Sequence, residues 1–535
     1  MNLPPLREGI LRLLGPSVCI AALVIGAAAQ RARPAPRHTN VLVIVLDDLG
    51  TDQLEFYGET PSPPSGRTRT AGGQFAVGGP LLRTLPATPT LDELRREGIW
   101  FTKAYGTPVC SSTRACIQTG RLGFRTGVGW ITNAVGYPGD FELPNSEKFL
   151  PELLRDGFGE QELGLPYRCG AFGKWHLSTL LEEDRGHAIE NGFHRFRGTM
   201  GNVGAYYRYD WIEHDAGSPP VAVMINGSAT HGTDTWHGSV TSREALEWIQ
   251  AQKRSFFAYV AFGPPHAPLQ VPPLELLPEH TRAALTRFGL EPGNSLSPFD
   301  PPDLVHLVYR SLVEAIDAEI GNLIDGIPAE TRKNTMIIVC GDNGTPEAAV
   351  SPPHDPDHAK GEVYELGIRV PLIVTGPLVK RPIPSEGWRS EALVSAVDLW
   401  STIADITGAN AAQVVPPHQL DSISFLPVIL DPLSAGNRTT VYSQIFTPNG
   451  IVSLPPPSCY DRNDRSLSDG VFKYIRIQQS VSAEPCGIPT YRERLYHLPS
   501  DPEEQFELLV AGPLSPEAAD AYAFLRAEMD FLSGQ

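Results

Sequence analysis

The stretch NVLVIVLDD, residues 40–48, decides the architecture expected for this chain. Its central part, Val41 to Leu46, is a continuous run of β-branched and aliphatic residues that ends at two aspartates. Such a run is typical of a strand that is buried on both faces, as in a parallel sheet. Similar apolar runs occur at residues 169–172, 256–262, 336–340 and 370–375. We predict that these runs are strands of one sheet.

Segments with a helical spacing of apolar residues separate these runs. They lie at residues 89–97, 146–155, 242–252, 304–324 and 393–407. The alternation predicts an α/β fold in which a large, mostly parallel sheet carries helices on both faces.

The pattern changes after about residue 415, where shorter strands are predicted at 440–445, 471–477 and 494–497, with a last helix near 518–531. We therefore predict an α/β domain over residues 38–414 and a smaller C-terminal α+β domain over residues 415–535, with a short antiparallel sheet. The stretches 59–86, 199–236 and 270–300 match no regular pattern and are predicted to be loops.

The composition bounds the class of protein and the nature of its partners. The chain has 535 residues, of which 41% are hydrophobic, and its formal net charge is −18. The apolar content is sufficient for a sizeable core. The acidic balance argues against nucleic acid or an anionic membrane surface as the main partner. A site for an anionic group must therefore be built locally, from a few cations or a bound metal.

Residues 1–30 have the features of a signal peptide. Arg7 and Arg12 flank the start of an apolar segment, residues 13–25, and small residues at 26–29 offer a cleavage site. The apolar segment is short and interrupted by Gly15-Pro16, which favours removal over the alternative of a membrane anchor. We predict a periplasmic or secreted protein without stable membrane insertion.

The cysteines indicate different roles. Cys459 and Cys486 lie in one loop-rich stretch and could pair in an oxidising compartment. Cys116, Cys169 and Cys340 lie in apolar runs, as small core residues do. The absence of a Cys-x-x-Cys pair from the sequence argues against a cysteine zinc site.

Polar side chains follow most of the apolar runs, at the ends where the predicted strands finish. Ligands of open α/β sheets bind beyond the carboxyl ends of the strands. Taken singly, each of these side chains has a structural explanation as a helix cap, a turn or a surface residue. Their joint occurrence predicts a site built from Asp47, Asp48, Lys174, His176, His266, Asp342, Asn343 and Lys360.

The residue types in this set indicate the chemistry of the predicted site. Carboxylate and amide oxygens suit Ca²⁺ or Mg²⁺ better than zinc or copper. Lys174, Lys360 and Arg114 supply three cations, enough to hold a tetrahedral oxyanion. His176 and His266 can transfer protons near neutral pH.

Cys110 is the candidate nucleophile, in the segment PVCSSTRAC, residues 108–116. It lies where a loop is predicted to enter a short helix, and Arg114 would favour a negative charge there. The alternative is a structural cysteine. A cysteine phosphatase loop needs five residues between its cysteine and arginine, whereas three separate Cys110 from Arg114, so that class is excluded.

The order of these motifs resembles the sulfatase family, within the alkaline phosphatase superfamily, over nearly all of residues 40–500. The matching segments are Asn40 to Gly50, Cys110 to Arg121, Gly173 to Leu177, Pro265 to Pro268, Gly341 to Gly344 and Lys360 to Pro371.

The resemblance implies an exported enzyme that hydrolyses aryl or carbohydrate sulfate esters. In this family a formylglycine-generating enzyme oxidises the motif cysteine to formylglycine, whose hydrate attacks sulfur and later expels sulfate. By resemblance, Asp47, Asp48, Asp342 and Asn343 bind Ca²⁺, or Mg²⁺, together with residue 110. The remaining implied roles are as follows: Arg114 and Lys174 hold the hydrate, His176 takes its second proton, and His266 and Lys360 contact the sulfate and assist the leaving oxygen.

The chain departs from the family pattern at three positions. Ser112 replaces the proline of Cys-x-Pro-x-Arg, which shapes the segment read by the modifying enzyme, so conversion of Cys110 is a point to test. Ser178 and Leu366 replace glycines and affect the shape of the backbone rather than the chemistry.

Two other functions are compatible with the same residues. One is a phosphate or phosphonate ester hydrolase of the same superfamily. The other is a protein that binds sulfated glycans without turnover, with Cys110 unconverted. The aromatic group Tyr206, Tyr207, Tyr209 and Trp211 could stack on a sugar or aryl ring, although core packing is the role we expect.

Overall fold

The strand predicted at residues 41–46 lies in the middle of the largest sheet. The computed structural model describes residues 39–58, 85–132, 141–158, 167–227, 229–350, 354–450, 460–480 and 490–532. In it this strand runs from Asn40 to Leu46, and each of its residues is buried. The predicted signal peptide (residues 1–30), residues 59–84, Cys459 and Cys486 lie outside the described residues.

The strands of the described residues, in chain order, are β1 (Asn40–Leu46), β2 (Ile99–Phe101), β3 (Ala104–Tyr105), β4 (Tyr167–Lys174), β5 (Arg195–Thr199), β6 (Arg208–Asp215), β7 (Val221–Asn226), β8 (Ser255–Phe262), β9 (Leu269–Gln270), β10 (Ser295–Leu296), β11 (Thr335–Gly341), β12 (Leu372–Thr375), β13 (Trp388–Ser390), β14 (Val394–Ser395), β15 (Val441–Thr447), β16 (Arg462–Ser468), β17 (Phe472–Ser480) and β18 (Thr490–His497). The helices are α1 (Pro89–Arg96), α2 (Cys110–Thr119), α3 (Gly123–Thr126), α4 (Leu150–Asp156), α5 (His187–Glu190), α6 (His237–Ala251), α7 (Glu279–Arg287), α8 (Pro302–Gly326), α9 (Ala329–Lys333), α10 (Glu365–Ile368), α11 (Leu399–Thr407), α12 (Ala411–Val414), α13 (Leu426–Leu430) and α14 (Pro516–Leu532).

In the part of the chain that the structure describes, ten strands form the large sheet, in the order β13-β2-β12-β11-β1-β8-β4-β5-β6-β7. The five central strands, from β11 to β5, are all parallel. On one side β12 and β2 attach in antiparallel pairs, and on the other side β6 and β7 do. The prediction of a mostly parallel sheet is confirmed, and the carboxyl ends of its central strands meet at one edge.

Helices cover both faces of this sheet, as predicted. Val41, Val43 and Val45 of β1 belong to a core cluster that includes residues of α4 and α11. The alternate residues Leu42 and Ile44 belong to a second cluster, with residues of α1, α6 and α8. Because successive side chains of a strand point to opposite faces, the unbroken apolar run supplies both cores.

The C-terminal region contains a four-stranded antiparallel sheet in the order β15-β16-β17-β18. Leu525 and Met529 of α14 share a core cluster with Tyr474 and Leu495 of this sheet. The small antiparallel sheet is confirmed, whereas the domain boundary predicted between residues 414 and 415 stays a prediction. In the described residues no helix has the length and apolarity needed to span a bilayer.

Several predicted elements were wrong or incomplete. The stretch 199–236 contains β6 and β7, and the stretch 270–300 contains α7. Strand β7 is an edge strand with exposed or half-buried residues, so it lacks the apolar run that marks a buried strand. The helix predicted from residue 393 begins at Leu399, because β14 and a short 3₁₀ turn precede it. The strand predicted from residue 370 begins at Leu372.

A buried ionic cluster connects the small sheet to the segment that follows Lys360. Lys473 of β17 lies 3.1 Å from a carboxylate oxygen of Glu365 in α10 and 3.0 Å from one of Glu504. The Lys473 side chain is completely buried, and that of Glu504 is 1% exposed. The single ammonium charge therefore lies between two carboxylates that are largely shielded from water, and burial raises the pKa of Glu504 to about 7.

We predict that Lys473→Met lowers the free energy of unfolding by about 3–5 kcal/mol, because it leaves two buried carboxylates without their cation. The matched control is Lys333→Met, which removes the exposed pair with Glu330 and is expected to cost at most ~1 kcal/mol. Urea unfolding of both variants measures the difference. Equal midpoints for Lys473→Met and the unsubstituted protein would contradict the prediction.

Candidate active site

The predicted site residues come from the carboxyl edge of the central strands. Asp47 and Asp48 follow β1, Lys174 ends β4, and Asp342 follows β11 directly. Cys110 is the first residue of α2. The ligand atoms of Asp47, Asp48, Cys110 and His266 all lie within 4.8 Å of one another.

Two residues of the site adopt left-handed backbone conformations. The φ angle is 63° at Asp48 and 58° at His176. Residues other than glycine rarely adopt positive φ angles of this size. The Asp48 turn is held by Tyr309, whose hydroxyl donates to the Asp48 carbonyl at 2.6 Å. The His176 amide donates to the Met200 carbonyl at 2.9 Å. Strain of this kind persists where surrounding contacts impose it.

Arg114 connects three of the segments that form the site. Its Nε and Nη2 donate to one oxygen of Asp342 at 3.1 and 2.8 Å, and its Nη1 donates to the Lys174 carbonyl at 2.8 Å. Its side chain is completely buried. The guanidinium thus ties α2 to the ends of β11 and β4.

The lysines contact the two aspartates that follow β1. Lys174 forms an ion pair with Asp47 and places its Nζ 3.6 Å from the Cys110 sulfur. Lys360 lies 2.6 Å from an oxygen of Asp48. Lys174 therefore lies directly beside Cys110, and the charge of Lys360 also acts on the Cys110 thiol.

Asp342 and Asn343 position the Asp48 turn from the neighbouring strand. The Asp48 amide donates to an oxygen of Asp342 at 3.1 Å, and the Asn343 side-chain amide donates to the Asp48 carboxylate at 2.8 Å. Both oxygens of Asp342 are therefore occupied, one by this amide and the other by Arg114. Its place as a metal ligand stays a prediction.

Burial and neighbouring charges set the protonation states. Burial alone would raise the pKa of Asp47, but Lys174 and His266 hold that pKa well below its ordinary value. Burial lowers the pKa of His266 to about 4, with a contribution from Lys360. Burial and then Lys174 lower the pKa of His176 well below its ordinary value. Both imidazoles are neutral at pH 7 and can accept a proton.

The Cys110 thiol is not activated in this environment. Its side chain is completely buried, and burial raises its pKa to about 11 despite Lys174 and Lys360. A thiol needs its thiolate form to act as a nucleophile. Unmodified Cys110 would therefore react poorly at neutral pH.

The donor set fits a hard divalent cation. Asp47 Oδ1 and Asn343 Oδ1 are buried, and neither has a hydrogen-bond partner among the described residues. The Asn343 amide nitrogen is fixed by Asp48 and the Gly344 carbonyl, which fixes the position of its oxygen as well. Buried oxygens without partners are costly unless a cation or water satisfies them. Oxygen donors of this type are the ligands of Ca²⁺ and Mg²⁺.

A small pocket opens beside Asp47 and brings in residues that the sequence analysis did not identify. These include Thr199, Asn202 and His237. Thr199 is the last residue of β5, so the rule that placed Lys174 at the end of β4 could have found it. His237 begins α6 without any motif in the sequence to distinguish it. The aromatic group that includes Tyr206 is buried, as expected for core packing, although Tyr206 also lines this pocket.

The family follows from comparison with known proteins. The family model described as Sulfatase matches residues 39–409, which is well over half of the chain. The chain belongs to the sulfatase family. The resemblance seen in the sequence is thus confirmed, and the protein is a sulfuric ester hydrolase.

Two sulfatases of other organisms illustrate the similarity. N-acetylgalactosamine-6-sulfatase of Sus scrofa is 27% identical, over 76% of this chain and 69% of that protein. Arylsulfatase A of Bos taurus is 26% identical, over 95% of this chain and 91% of that protein.

Solved structures share the fold. Ps i-CgsB in complex with k-i-k-neocarrahexaose superposes with a TM-score of 0.64 at 21% identity and covers 93% of both chains. BT4656 in complex with D-glucosamine-2-N,6-O-disulfate gives 0.61 at 17% identity, covering 93% of this sulfatase and 98% of that chain. At these identities the similarity establishes the fold alone.

We predict that Arg114→Lys lowers kcat/KM for a sulfate ester by about 100-fold. An ammonium group cannot bind Asp342 and the Lys174 carbonyl together, so the side chains of the site would be displaced. Small displacements of catalytic side chains are costly for the rate. Steady-state kinetics measure the loss. The matched control is Arg125→Lys, which alters a partly exposed pair with Asp421 and is expected to leave kcat/KM within about threefold. Equal kinetics for the two variants would show that the Arg114 connection has no catalytic importance.

Proposed function

We propose that this sulfatase is exported and hydrolyses carbohydrate sulfate esters through a formylglycine hydrate at position 110, beside a bound Ca²⁺ or Mg²⁺. One observation carries the proposal. The Cys110 sulfur lies within 4.8 Å of ligand atoms of Asp47, Asp48 and His266, with the Lys174 ammonium 3.6 Å away. A nucleophile formed there has carboxylates, a cation and an imidazole within reach.

The preference for carbohydrate over aryl esters is supported by the relatives. The relative from Sus scrofa is named for N-acetylgalactosamine 6-sulfate, and two structural neighbours were solved with saccharide ligands. Arylsulfatase A supports the aryl alternative. The pocket beside Asp47 contains polar groups such as Thr199 and Asn202, which suit a ligand that carries hydroxyl groups.

Conversion of Cys110 would replace an unreactive thiol by a gem-diol. The hydrate supplies one hydroxyl for attack on sulfur and a second one for expulsion of sulfate, so a difficult hydrolysis is divided into two easier steps. A formylglycine-generating enzyme is the partner that this proposal requires.

The remaining residues would bind charge and transfer protons. Lys174 lies beside Cys110 and Lys360 beside Asp48, and both ammonium groups would hold the sulfate oxygens. His176, neutral because burial lowers its pKa, would accept the proton of the second hydroxyl. His266 lies 3.8 Å from Asp48 and, after it has taken up a proton, would assist the leaving oxygen. Arg114 would maintain the positions of Lys174 and Asp342.

A divalent cation would be held by Asp47, Asp48, Asp342 and Asn343 together with residue 110. It would supply positive charge that attracts the anionic sulfate to an acidic protein. The unpartnered oxygens of Asp47 and Asn343 are the part of the structure that supports it.

The first experiment tests conversion of Cys110. The sulfatase is produced with and without a formylglycine-generating enzyme, and the tryptic peptide that contains residue 110 is analysed by mass spectrometry. We expect the aldehyde only with the modifying enzyme, and sulfatase activity in proportion to it. Because Ser112 replaces the family's proline, Ser112→Pro is the matched variant and is expected to be converted at least as completely.

Unconverted Cys110 in both proteins, together with tight binding of a sulfated saccharide, would instead support the non-catalytic binder. Full activity of Cys110→Ala would refute the role of this residue altogether.

The second experiment tests the cation. We expect chelation to lower both activity and thermal stability and Ca²⁺ to restore them, because a ligand that binds only the folded state stabilises it. Asp47→Asn removes the charge of one ligand, so half-saturation of the site should require at least a tenfold higher Ca²⁺ concentration. Calorimetric titration and thermal unfolding at increasing Ca²⁺ concentration measure this shift. Unfolding of the unsubstituted protein that is insensitive to both chelator and Ca²⁺ would exclude a resident cation.

A further inference from the structure

The pocket beside Asp47 contains a histidine that the mechanism above does not use. Lys174 and His266 also line the pocket, which has room for a group of about the size of a water molecule. A molecule held in the site by its sulfate would therefore place a hydroxyl or amide group of its alcohol part here. The pocket lining consists of Asp47, Lys174, Thr199, Gly201, Asn202, Val203, Tyr206, His237, Gly263, His266 and Ala267.

His237 is held rigidly in this lining. It is 1% exposed, and its ring lies 5.0 Å from the ring of Tyr209 and 5.8 Å from that of Trp211, measured between centroids. Its amide donates to the Tyr206 carbonyl at 2.8 Å. The position of the imidazole is therefore fixed before any ligand arrives.

Hydrogen bonding determines which ring nitrogen of His237 carries the proton. Thr199 donates its hydroxyl proton to the Gly201 carbonyl at 3.0 Å, so its oxygen is left as an acceptor toward His237 Nε2, 3.5 Å away. Nε2 therefore carries the hydrogen and Nδ1 carries a lone pair. Burial, with a contribution from Lys174, lowers the pKa of His237 to about 3, so the ring is neutral.

The Nδ1 atom has no hydrogen-bond partner among the described residues. The edge of the ring that carries Nδ1 faces Gly263. If residue 263 had a side chain, its Cβ atom would lie 3.3 Å from Nδ1 and 3.1 Å from Cε1. A Cβ atom there would press on the imidazole, so glycine at position 263 keeps a side chain away from an acceptor that is buried, rigid and unsatisfied.

We propose that His237 is a specificity-determining residue, whose Nδ1 accepts a hydrogen bond from a hydroxyl or amide N–H on the sugar of a sulfated carbohydrate. The inference rests on the proposed function and deepens it. A sugar carries such donors next to its sulfate ester, whereas a simple aryl sulfate carries none. His237 therefore favours carbohydrate over aryl substrates.

The test compares His237→Phe, which keeps a ring without an acceptor, with His237→Asn, whose amide oxygen can occupy the place of Nδ1. The probes are N-acetylgalactosamine 6-sulfate and p-nitrophenyl sulfate. We expect His237→Phe to lower kcat/KM for the sugar ester by about 10- to 100-fold, because the hydroxyl or amide group of the sugar is then buried in the complex without its acceptor. The loss on the aryl ester should be at least fivefold smaller, and His237→Asn should recover most of the sugar activity.

Equal losses on both probes, or no loss on either, would overturn the role of His237. Turnover of neither probe by the converted, unsubstituted sulfatase would instead contradict the proposed function. In that case calorimetric binding of N-acetylgalactosamine 6-sulfate decides the role of His237. At least tenfold weaker binding by His237→Phe supports it, and equal or undetectable binding by both proteins overturns it.

Discussion

A completely buried guanidinium is the constraint on which the architecture of the site depends. Arg114 has no water to solvate it, so each of its donors needs a protein acceptor, and these come from the ends of two different strands. Because one acceptor is Asp342, the same contact fixes the segment that supports the Asp48 turn. The position of Cys110 follows, since α2 carries both Cys110 and Arg114. Removal of the charge would therefore affect several segments together.

The parallel sheet makes this arrangement possible. Strands β1, β4, β8 and β11 finish at one edge, and their following residues converge there although they are far apart in the chain. Helices bury the apolar runs of these strands on both faces of the sheet. Because such a core is closely packed, the residues at the edge of the sheet are held in fixed positions. Two residues at this edge, Asp48 and His176, retain left-handed conformations. The stability of the sheet sustains these strained turns.

Much of this could be predicted from the sequence, for a physical reason. Strands such as β1 and β11 contain only residues that must avoid water on both faces, and this leaves a clear pattern. Strand β16, with the sequence RNDRSLS, was missed because most of its buried residues are polar, such as Asn463, whose side-chain oxygen accepts a hydrogen bond from Gln444 of the neighbouring strand. The candidate site residues were chosen from their place after apolar runs and from the resemblance, and their roles stay predictions. The hydrogen-bond pattern around Arg114 and the lone acceptor of His237 depend on tertiary contacts, which no local pattern records.

The complete burial of Cys110 has a consequence for the biogenesis of this protein. A second enzyme needs several extended residues around its target, and the folded protein encloses this segment within α2 and the sheet edge. If Cys110 is converted as proposed, the modification would therefore have to precede folding, and the two processes would compete in time. A chain that folded first would keep its thiol. The yield of converted molecules would then be governed by kinetics during synthesis rather than by the equilibrium stability of the final fold.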